Sequence, residues 1–288
     1  KQVYIGDAFP FFNLSCFGPG VTAAFLGAEL DTSSGRVWFH PKEIVPISEI
    51  HMEYNPENVW LCRIKEICFE AMNHWQGQVL VGMPDLGGGL DILSTLRTPE
   101  NLLMDLYDHP DEVLRLSDEI QELWHQFYNE INEVLQPVNP GYSDWSGVYS
   151  SKPSYIIQND FCYMISPEMF DVFAKKELET TCKKLDHTIY HLDGVGQLAH
   201  LDSLLEIKEL DAVQWVPGDG KPPQAEWPEV LIKIHNAGKG LFIGGGFESI
   251  DKVMNYLGTG RGINHSAIHG NVNQQKDIQK KLAEYGIE

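Results

Sequence analysis

The stretch HTIYHLDGVGQLAHLDSLL, residues 187–205, joins a β-rich run to a glycine-containing turn and then to an apolar segment. β-rich runs followed by amphipathic helical patterns recur along the chain, and this alternation predicts parallel strands joined by helical crossovers. Two weak runs, 3–7 and 37–41, raise the number of predicted strands to eight, which predicts an α/β fold of the (β/α)8 type, a TIM barrel. The six stronger strands are predicted at 78–83, 154–160, 187–193, 210–216, 239–245 and 262–268.

Two helix starts are marked by their sequences. TPEN at Thr98 and SPEM at Ser166 each supply an N-cap hydroxyl, a proline at the first helical position and a glutamate in the first turn. Between residues 111 and 136, apolar side chains recur at spacings of three and four, which predicts one long amphipathic helix. The Pro- and Gly-rich segments 136–147 and 216–228 are predicted to be long loops.

The length and the charge limit the class of protein. The 288 residues, 43% of them hydrophobic, suffice for a single domain spanning residues 1–288. Asp and Glu number 41 against 21 Lys and Arg, so the formal net charge is −20, which argues against nucleic acid and anionic membranes as partners. No apolar run is long enough for a membrane helix.

The cysteines and the first residue bear on localisation and completeness. Five cysteines without a C-x-x-C motif indicate neither a disulfide framework nor a zinc ribbon, and they favour a reducing cytoplasm. Because the chain starts with lysine followed directly by strand-like residues, we expect the natural N-terminus, and part of the N-terminal region, to lie upstream.

Polar and titratable side chains recur at the predicted C-terminal strand ends, where barrel enzymes carry their catalytic groups. Any single one has a structural explanation as a strand-end cap, but their recurrence favours a shared pocket. Tyr163 and Trp145 lie in nearby loops and are predicted to contact a substrate. The strand-end residues are Asp85, Asn159, Asp160, His191, Asp193, Gln214, Trp215, Glu248, His265 and His269.

His191 and Asp193 are the sharpest pair in this set. Residues i and i+2 of a strand face the same side, so both side chains can point at one object. Histidine with a carboxylate is a competent partial ligand set for zinc or a similar ion, whose third ligand must come from elsewhere. A hydrogen-bonded His–Asp pair without metal is the alternative.

Two glycine motifs offer other interpretations. GVGQLA at 194–199 imitates a dinucleotide fingerprint and is followed by Asp219, but the strand before it ends in polar residues and the motif falls late in the chain. Its glycines are better explained by a tight turn beside His191. IGGGFES at 243–249 can hold an anion at a helix start near Ser249, or form a flexible turn.

Four segments together resemble the uroporphyrinogen decarboxylase superfamily, over residues 75–258. That superfamily has the (β/α)8 fold and includes tetrapyrrole decarboxylases and zinc-dependent, corrinoid-linked methyltransferases. The four segments are LVGMPDLGGGLDILSTLR (80–97), IIQNDFCYMISPEMFDVF (156–173), YHLDGVGQLAHLDSLLEIKELDAVQWVPG (190–218) and GLFIGGGFES (240–249).

The resemblance implies a zinc site that departs from the pattern of the methyltransferases. His191 matches their histidine, Asp193 stands where their first cysteine would be, and no cysteine follows Cys182. We expect His269 as the third ligand, with Glu248 and His265 in reserve. Oxygen and imidazole ligands make a stronger Lewis acid than thiolates, which favours demethylation of an oxygen or nitrogen compound over thiol alkylation.

The sequence therefore predicts a metal-dependent methyltransferase that passes a methyl group from a small substrate to a corrinoid on a partner protein. Asp160 or Asp85 would orient the substrate or move protons, and Asn159, Gln214 and Trp215 would join Tyr163 and Trp145 in binding it. A homodimer is one assembly to test.

Two other functions stay open. A metal-free decarboxylase would use Asp85 or Asp160, although only five arginines are present, without the N-terminal cluster by which the family's decarboxylases grip a polycarboxylate. A barrel that binds a small ligand without turnover is the third interpretation.

Overall fold

The computed structural model describes residues 2–266 and 268–287, and its centre is a set of parallel strands covered by helices. The strands are β1 (Phe11–Phe12), β2 (Glu29–Asp31), β3 (Trp38–His40), β4 (Leu80–Val81), β5 (Ser154–Gln158), β6 (His187–Asp193), β7 (Ala212–Val216), β8 (Gly240–Ile243) and β9 (Ile263–His265).

The α-helices alternate with the later strands. They are α1 (Thr22–Phe25), α2 (Val59–Trp75), α3 (Gly89–Arg97), α4 (Pro99–Asp108), α5 (Pro110–Leu135), α6 (Pro167–Phe173), α7 (Lys175–Lys184), α8 (Leu201–Leu205), α9 (Pro228–Asn236), α10 (Phe247–Leu257) and α11 (Gln275–Glu284). Short 3-10 helices lie at Ser15–Phe17, Ile47–Glu49, Asp160–Met164, Val195–His200, Gln224–Glu226 and Val272–Gln274. No helix of the described residues is both long and apolar enough to cross a membrane.

The five strands β5 to β9 form one parallel sheet in sequence order, as the alternation of strands and helices predicts. β1 pairs in parallel with β4, and Met83, just beyond β4, pairs in parallel with Asp144. Within the described residues, no strand pairing joins β9 to β1 or β4 to β5, so the parallel strands form a five-stranded and a two-stranded sheet and not a closed ring. The fold is therefore mixed α/β with a parallel sheet.

Four of the strand predictions need correction, and one of them, 78–83, yields only the two residues of β4 and the isolated bridge at Met83. Residues 3–7 form no strand, and the first strand is instead β1, which follows Pro10. The run 37–41 contains β3, but β3 pairs antiparallel with β2 in a separate hairpin. The run predicted at 262–268 yields only the three residues of β9, and its residue 267 lies outside the described residues.

The strand β6 shows how the sheet sorts side chains. Its burial alternates, with Thr188, Tyr190 and Leu192 buried and His191 and Asp193 half-exposed. Thr188 Oγ1 donates to Cys182 Sγ of α7 at 3.3 Å, so the buried face looks toward the helices. His191 and Asp193 therefore face the opposite side, away from the apolar core.

The predicted helix features are confirmed. α5 spans Pro110–Leu135 and buries an apolar stripe, including Val113, Leu116, Ile120, Phe127 and Ile131. The Thr98 hydroxyl accepts a hydrogen bond from the N–H of Asn101 at 3.5 Å, and the Ser166 hydroxyl accepts one from the N–H of Met169 at 3.3 Å. Each of these caps is followed by a proline in the first turn of its helix. One hydrophobic core runs from Leu14 to Val253 and links these helices to both groups of parallel strands.

Candidate metal centre

Three side chains that can hold a metal ion converge where β5 and β6 end. One ligand atom from each of Asp160, His191 and Asp193 lies within 4.8 Å of the others. β5 and β6 run in parallel with Gln158 opposite His191. Asp193 lies two residues beyond this pair at the end of β6, and Asp160 lies two residues beyond it at the start of the 3-10 helix that follows β5, so the register brings both positions to the same strand ends.

A cleft of about 380 Å³ opens on two members of this group, Asp160 and Asp193. Its polar lining includes Asp160, Tyr163, Asp193, Asp219 and Lys221. The ring of Tyr163 lies against the backbone of Gly194 and Gly196, where a Cβ atom on either glycine would come within 2.8 Å of it. Gly194 also has a φ of +84°, which side chains rarely adopt. The glycines of GVGQLA thus form a tight turn that receives an aromatic ring, as the sequence predicts of the turn.

The structure gives no support to a dinucleotide fold at this turn. Residues Val195–His200 form a 3-10 helix, whereas a dinucleotide fingerprint opens an α-helix whose N–H groups hold the pyrophosphate. The second glycine motif leads into α10, which has Gly246 as its N-cap, three residues before Ser249.

The His191 ring is fixed by two neighbours. Its Nδ1 lies 2.6 Å from Oε1 of Gln214 on β7. Trp145 packs edge-to-face on the ring, with centroids 5.2 Å apart and planes at 86°. Gln214 is half-buried and faces the same side as His191, its Cα partner across the two strands.

Asp91 holds the backbone that carries Asp160. Its carboxylate, in the first turn of α3, accepts from the N–H of Asp160 at 3.0 Å and of Phe161 at 2.7 Å. These contacts join residues 69 and 70 positions apart in the chain, so local sequence patterns give no signal for them. Asp91 was not among the predicted site residues.

A second carboxylate, that of half-buried Glu177 on α7, supports the same region. It accepts from the N–H of Gly89 at 2.9 Å and from Nδ2 of Asn159 at 3.3 Å, while Asn159 Oδ1 accepts from the N–H of Leu90 at 3.2 Å. Burial raises the pKa of Glu177 to about 7. Asn159 is fully buried; we therefore assign it to this support and not to substrate binding.

The carboxylates raise one another's pKa. The pKa of Asp160 is raised because surrounding protein desolvates its carboxyl group, although the residue keeps access to solvent, and because Asp193 and Asp85 face it. The pKa of Asp91 is raised by burial and by Asp160. The centre therefore concentrates negative charge in a poorly solvated place, which favours a cation.

Asp85 lies behind this group. Burial raises its pKa to about 6, against the opposing effect of backbone N–H groups from Gly87 and Gly20. The negative charge of Asp91 raises the same pKa, and the charge of His191 lowers it. A carboxyl group with this pKa can hold or release a proton near neutral pH.

Positive charge does not balance these groups. Within the described residues, no Lys, Arg or His nitrogen comes within salt-bridge distance of Asp85, Asp91, Asp160, Asp193 or Glu177. Five neighbouring carboxyl groups without an ion pair are costly unless protons or a metal ion neutralise them.

Four predicted residues lie outside the group. His269 and Glu248 are exposed, and neither belongs to the metal-binding group, nor does His265, whose Nδ1 lies 2.5 Å from the carbonyl of Ser266. Trp215 is fully buried on the other face of β7, packed on Trp227, because odd and even positions of a strand face opposite sides. Asp160 takes the place in the group that sequence analysis gave to His269.

Comparison with known proteins supports the fold. A scan against protein-family models finds no match, and a search of the curated proteins finds no relative. A solved structure described as "methyltransferase from Methanosarcina mazei" is similar to the chain, with a TM-score of 0.57 and 12% sequence identity. The match covers 93% of this chain and 77% of that chain. At this identity the similarity concerns the α/β fold, which the chain shares with a methyltransferase.

Proposed function

We propose that the protein is a zinc-dependent methyltransferase with a (β/α)8-type fold, related to the uroporphyrinogen decarboxylase superfamily. It would move a methyl group from a small methylated substrate to a corrinoid on a partner protein in the cytoplasm. The proposal rests mainly on the group of Asp160, His191 and Asp193 at the C-terminal strand ends, where barrel enzymes hold their active sites. The five-stranded parallel sheet and the similarity to a methyltransferase fold support it.

The donor set fits zinc. One imidazole and two carboxylates provide three protein ligands and leave a fourth position for substrate, which is the pattern of catalytic zinc sites. Ligands of one tetrahedral zinc lie roughly 3.4 Å apart, so the observed group, within 4.8 Å, would need no more than a modest side-chain rotation to close. Asp160 is exposed enough to make this rotation. When bound, the metal would supply a Lewis acid for the oxygen or nitrogen that carries the methyl group.

Other residues of the chain would bind the substrate and move protons. Tyr163 and Trp145 would bound the space beside His191 and limit water there. Asp85 would hold the proton that the oxygen or nitrogen takes up once its bond to the methyl carbon breaks and the electron pair stays behind. The methyl group would leave as an electrophile, which suits a nucleophilic cobalt(I) acceptor.

A metal-free decarboxylase is the second candidate, because Asp85 and Asp160, with raised pKa values, can donate a proton to a carbanion. The lining of the cleft opposes it. Among the described lining residues Lys221 is the single cation, beside the carboxylates Asp160, Asp193 and Asp219. A polycarboxylated substrate would be repelled from such a surface.

The test is methyl transfer to free cobalt(I) cobalamin, followed by visible absorption, with a set of methylated oxygen and nitrogen compounds. We expect zinc-loaded wild type to form methylcobalamin with at least one compound, and Asp193→Asn to lose this activity. Asp211→Asn, at the opposite strand ends, is the matched control and should keep it. Methyl transfer that survives both Asp193→Asn and metal removal would contradict the proposal. Release of carbon dioxide from an added carboxylated compound by metal-free protein would favour the decarboxylase.

A further inference from the structure

The short contact between His191 and Gln214 bears on which ring nitrogen of His191 is left for the group with Asp160 and Asp193. His191 Nδ1 lies 2.6 Å from Gln214 Oε1, and the two residues are direct partners on adjacent parallel strands. An amide oxygen can only accept a hydrogen bond, so the proton of this bond must sit on Nδ1. The other nitrogen, Nε2, is then the one left for a ligand.

We propose that Gln214 is a positioning residue that fixes His191 with its proton on Nδ1, so that Nε2 faces Asp160 and Asp193. Trp145 assists by limiting ring rotation through its edge-to-face contact at 5.2 Å. The inference rests on the proposed function only in assuming that Nε2 then binds the metal. It changes the role of Gln214, which the sequence alone assigned to the substrate.

A neutral amide as the acceptor for the His191 ring suits the negative charge of the candidate metal centre. Histidine ligands commonly donate their second N–H to a carboxylate or a carbonyl, which orients the ring and increases its basicity. Asp85, Asp91, Asp160 and Asp193 already supply negative charge here, and the first three have raised pKa values for reasons that include one another's charge. A neutral acceptor orients the ring without adding to that charge.

Three variants separate positioning from simple packing. Gln214→Met keeps the length and approximate volume but removes the acceptor, and Gln214→Glu keeps an acceptor oxygen. Gln279→Met makes the same chemical change on the exposed side of α11 and serves as the control. We expect zinc affinity to fall about 10- to 100-fold in Gln214→Met, to stay within a few-fold of wild type in Gln214→Glu, and to be unchanged in Gln279→Met.

The ring tautomer supplies a readout that packing alone would not change. In histidine ¹⁵N NMR of wild type, with or without zinc, we expect the His191 proton on Nδ1, and in Gln214→Met we expect it to redistribute between the two nitrogens. Zinc affinity and tautomer unaltered in Gln214→Met, or a wild-type His191 with its proton on Nε2 alone, would overturn the inference. If wild type binds no zinc, the proposed function fails, and the tautomer still decides the role of Gln214.

Discussion

Two clefts of about 380 Å³ each lie at opposite ends of the same parallel strands and use the same residue types differently. The cleft at the strand starts contains His187 and Asp211, whose Nδ1 and Oδ2 are 3.7 Å apart. Asp211 also accepts from the N–H of Thr188 at 2.8 Å. The cleft at the strand ends contains Asp160 and Asp193, which form no salt bridge within the described part of the chain.

The difference separates carboxylates that stabilise the fold from those available for chemistry. Asp144, in the first cleft, accepts from the N–H of Ile156 at 2.6 Å and of Ser146 at 2.8 Å, so backbone donors satisfy it. Asp193 has no such partner among the hydrogen bonds of the described residues. Equal cavity volume is therefore a poor guide to function, and within the described residues the carboxylates without a hydrogen-bond or salt-bridge partner in the protein identify the candidate site.

The largest expected effect comes from removing one ligand charge at the strand ends. We expect Asp193→Asn to weaken zinc binding on the order of 1,000-fold, or about 4 kcal/mol. This loss of affinity is larger than the loss expected when a residue that only orients a metal ligand is changed. Asp211→Asn should leave the affinity unchanged. Competition with a chromophoric chelator measures the zinc affinity of both variants. Equal losses of affinity in the two would contradict the difference in function between the clefts.

Glu177, which accepts hydrogen bonds beside the candidate metal centre, predicts an effect of pH on stability that is intermediate in size. The folded-state pKa of Glu177 is about 7 against an ordinary value of 4.5, because burial disfavours its charged form. Between these values the folded state holds a proton that the unfolded state has lost, so stability falls as pH rises from 4.5 to 7.

Glu177→Gln removes this titration. We expect the free energy of unfolding of the variant, relative to wild type, to rise by on the order of 3 kcal/mol between pH 4.5 and pH 8. Urea unfolding at a series of pH values measures this difference. Parallel curves for the two proteins would show that the carboxylate is charged in the folded state at neutral pH.

The turn beside the centre predicts a smaller loss of stability. Gly194→Ala introduces a side chain at a φ of +84° and places its Cβ 2.8 Å from Tyr163, so we expect it to cost about 2 kcal/mol. Gly196→Ala meets the same ring at 2.8 Å without a positive φ, and half-exposed Tyr163 can rotate away, so it should cost below about 1 kcal/mol. Thermal unfolding of the two variants measures both losses of stability. A larger loss in Gly196→Ala than in Gly194→Ala would contradict this prediction.

The smallest expected effect on stability concerns the ion pair in the cleft at the strand starts. His187 and Asp211 have half-exposed side chains at 3.7 Å, a geometry in which an ion pair contributes little. We expect His187→Gln to change the free energy of unfolding by about 0.5 kcal/mol or less. Chemical denaturation measures it, and a loss of several kcal/mol would mean that this pair, too, lies in a poorly solvated place.

The sequence predicts those elements whose signal is local. β6 spans the predicted 187–193 without adjustment, because the run is rich in residues that favour strands, such as Thr188, Ile189 and Tyr190. β1 has only two residues, and the Met83–Asp144 bridge joins a predicted strand to a segment predicted to be a loop. Both depend on pairing with distant residues, so neither carries a pattern long enough to read.

The candidate site divides in the same way. The period of a strand brings His191 and Asp193 to one face, and it is visible in the sequence. The third member, Asp160, depends on the register that sets Gln158 opposite His191, and no property of either segment alone fixes that register. Sequence reasoning therefore placed Asp160 in the pocket but assigned the third metal position to His269.

The most direct test of the account is the zinc content of protein purified without added metal or chelator, measured by elemental mass spectrometry in wild type, His191→Ala and His187→Ala. The account predicts about one zinc per chain in wild type and His187→Ala and almost none in His191→Ala. Equal zinc in all three proteins, or no zinc in wild type even after zinc is added, would contradict it.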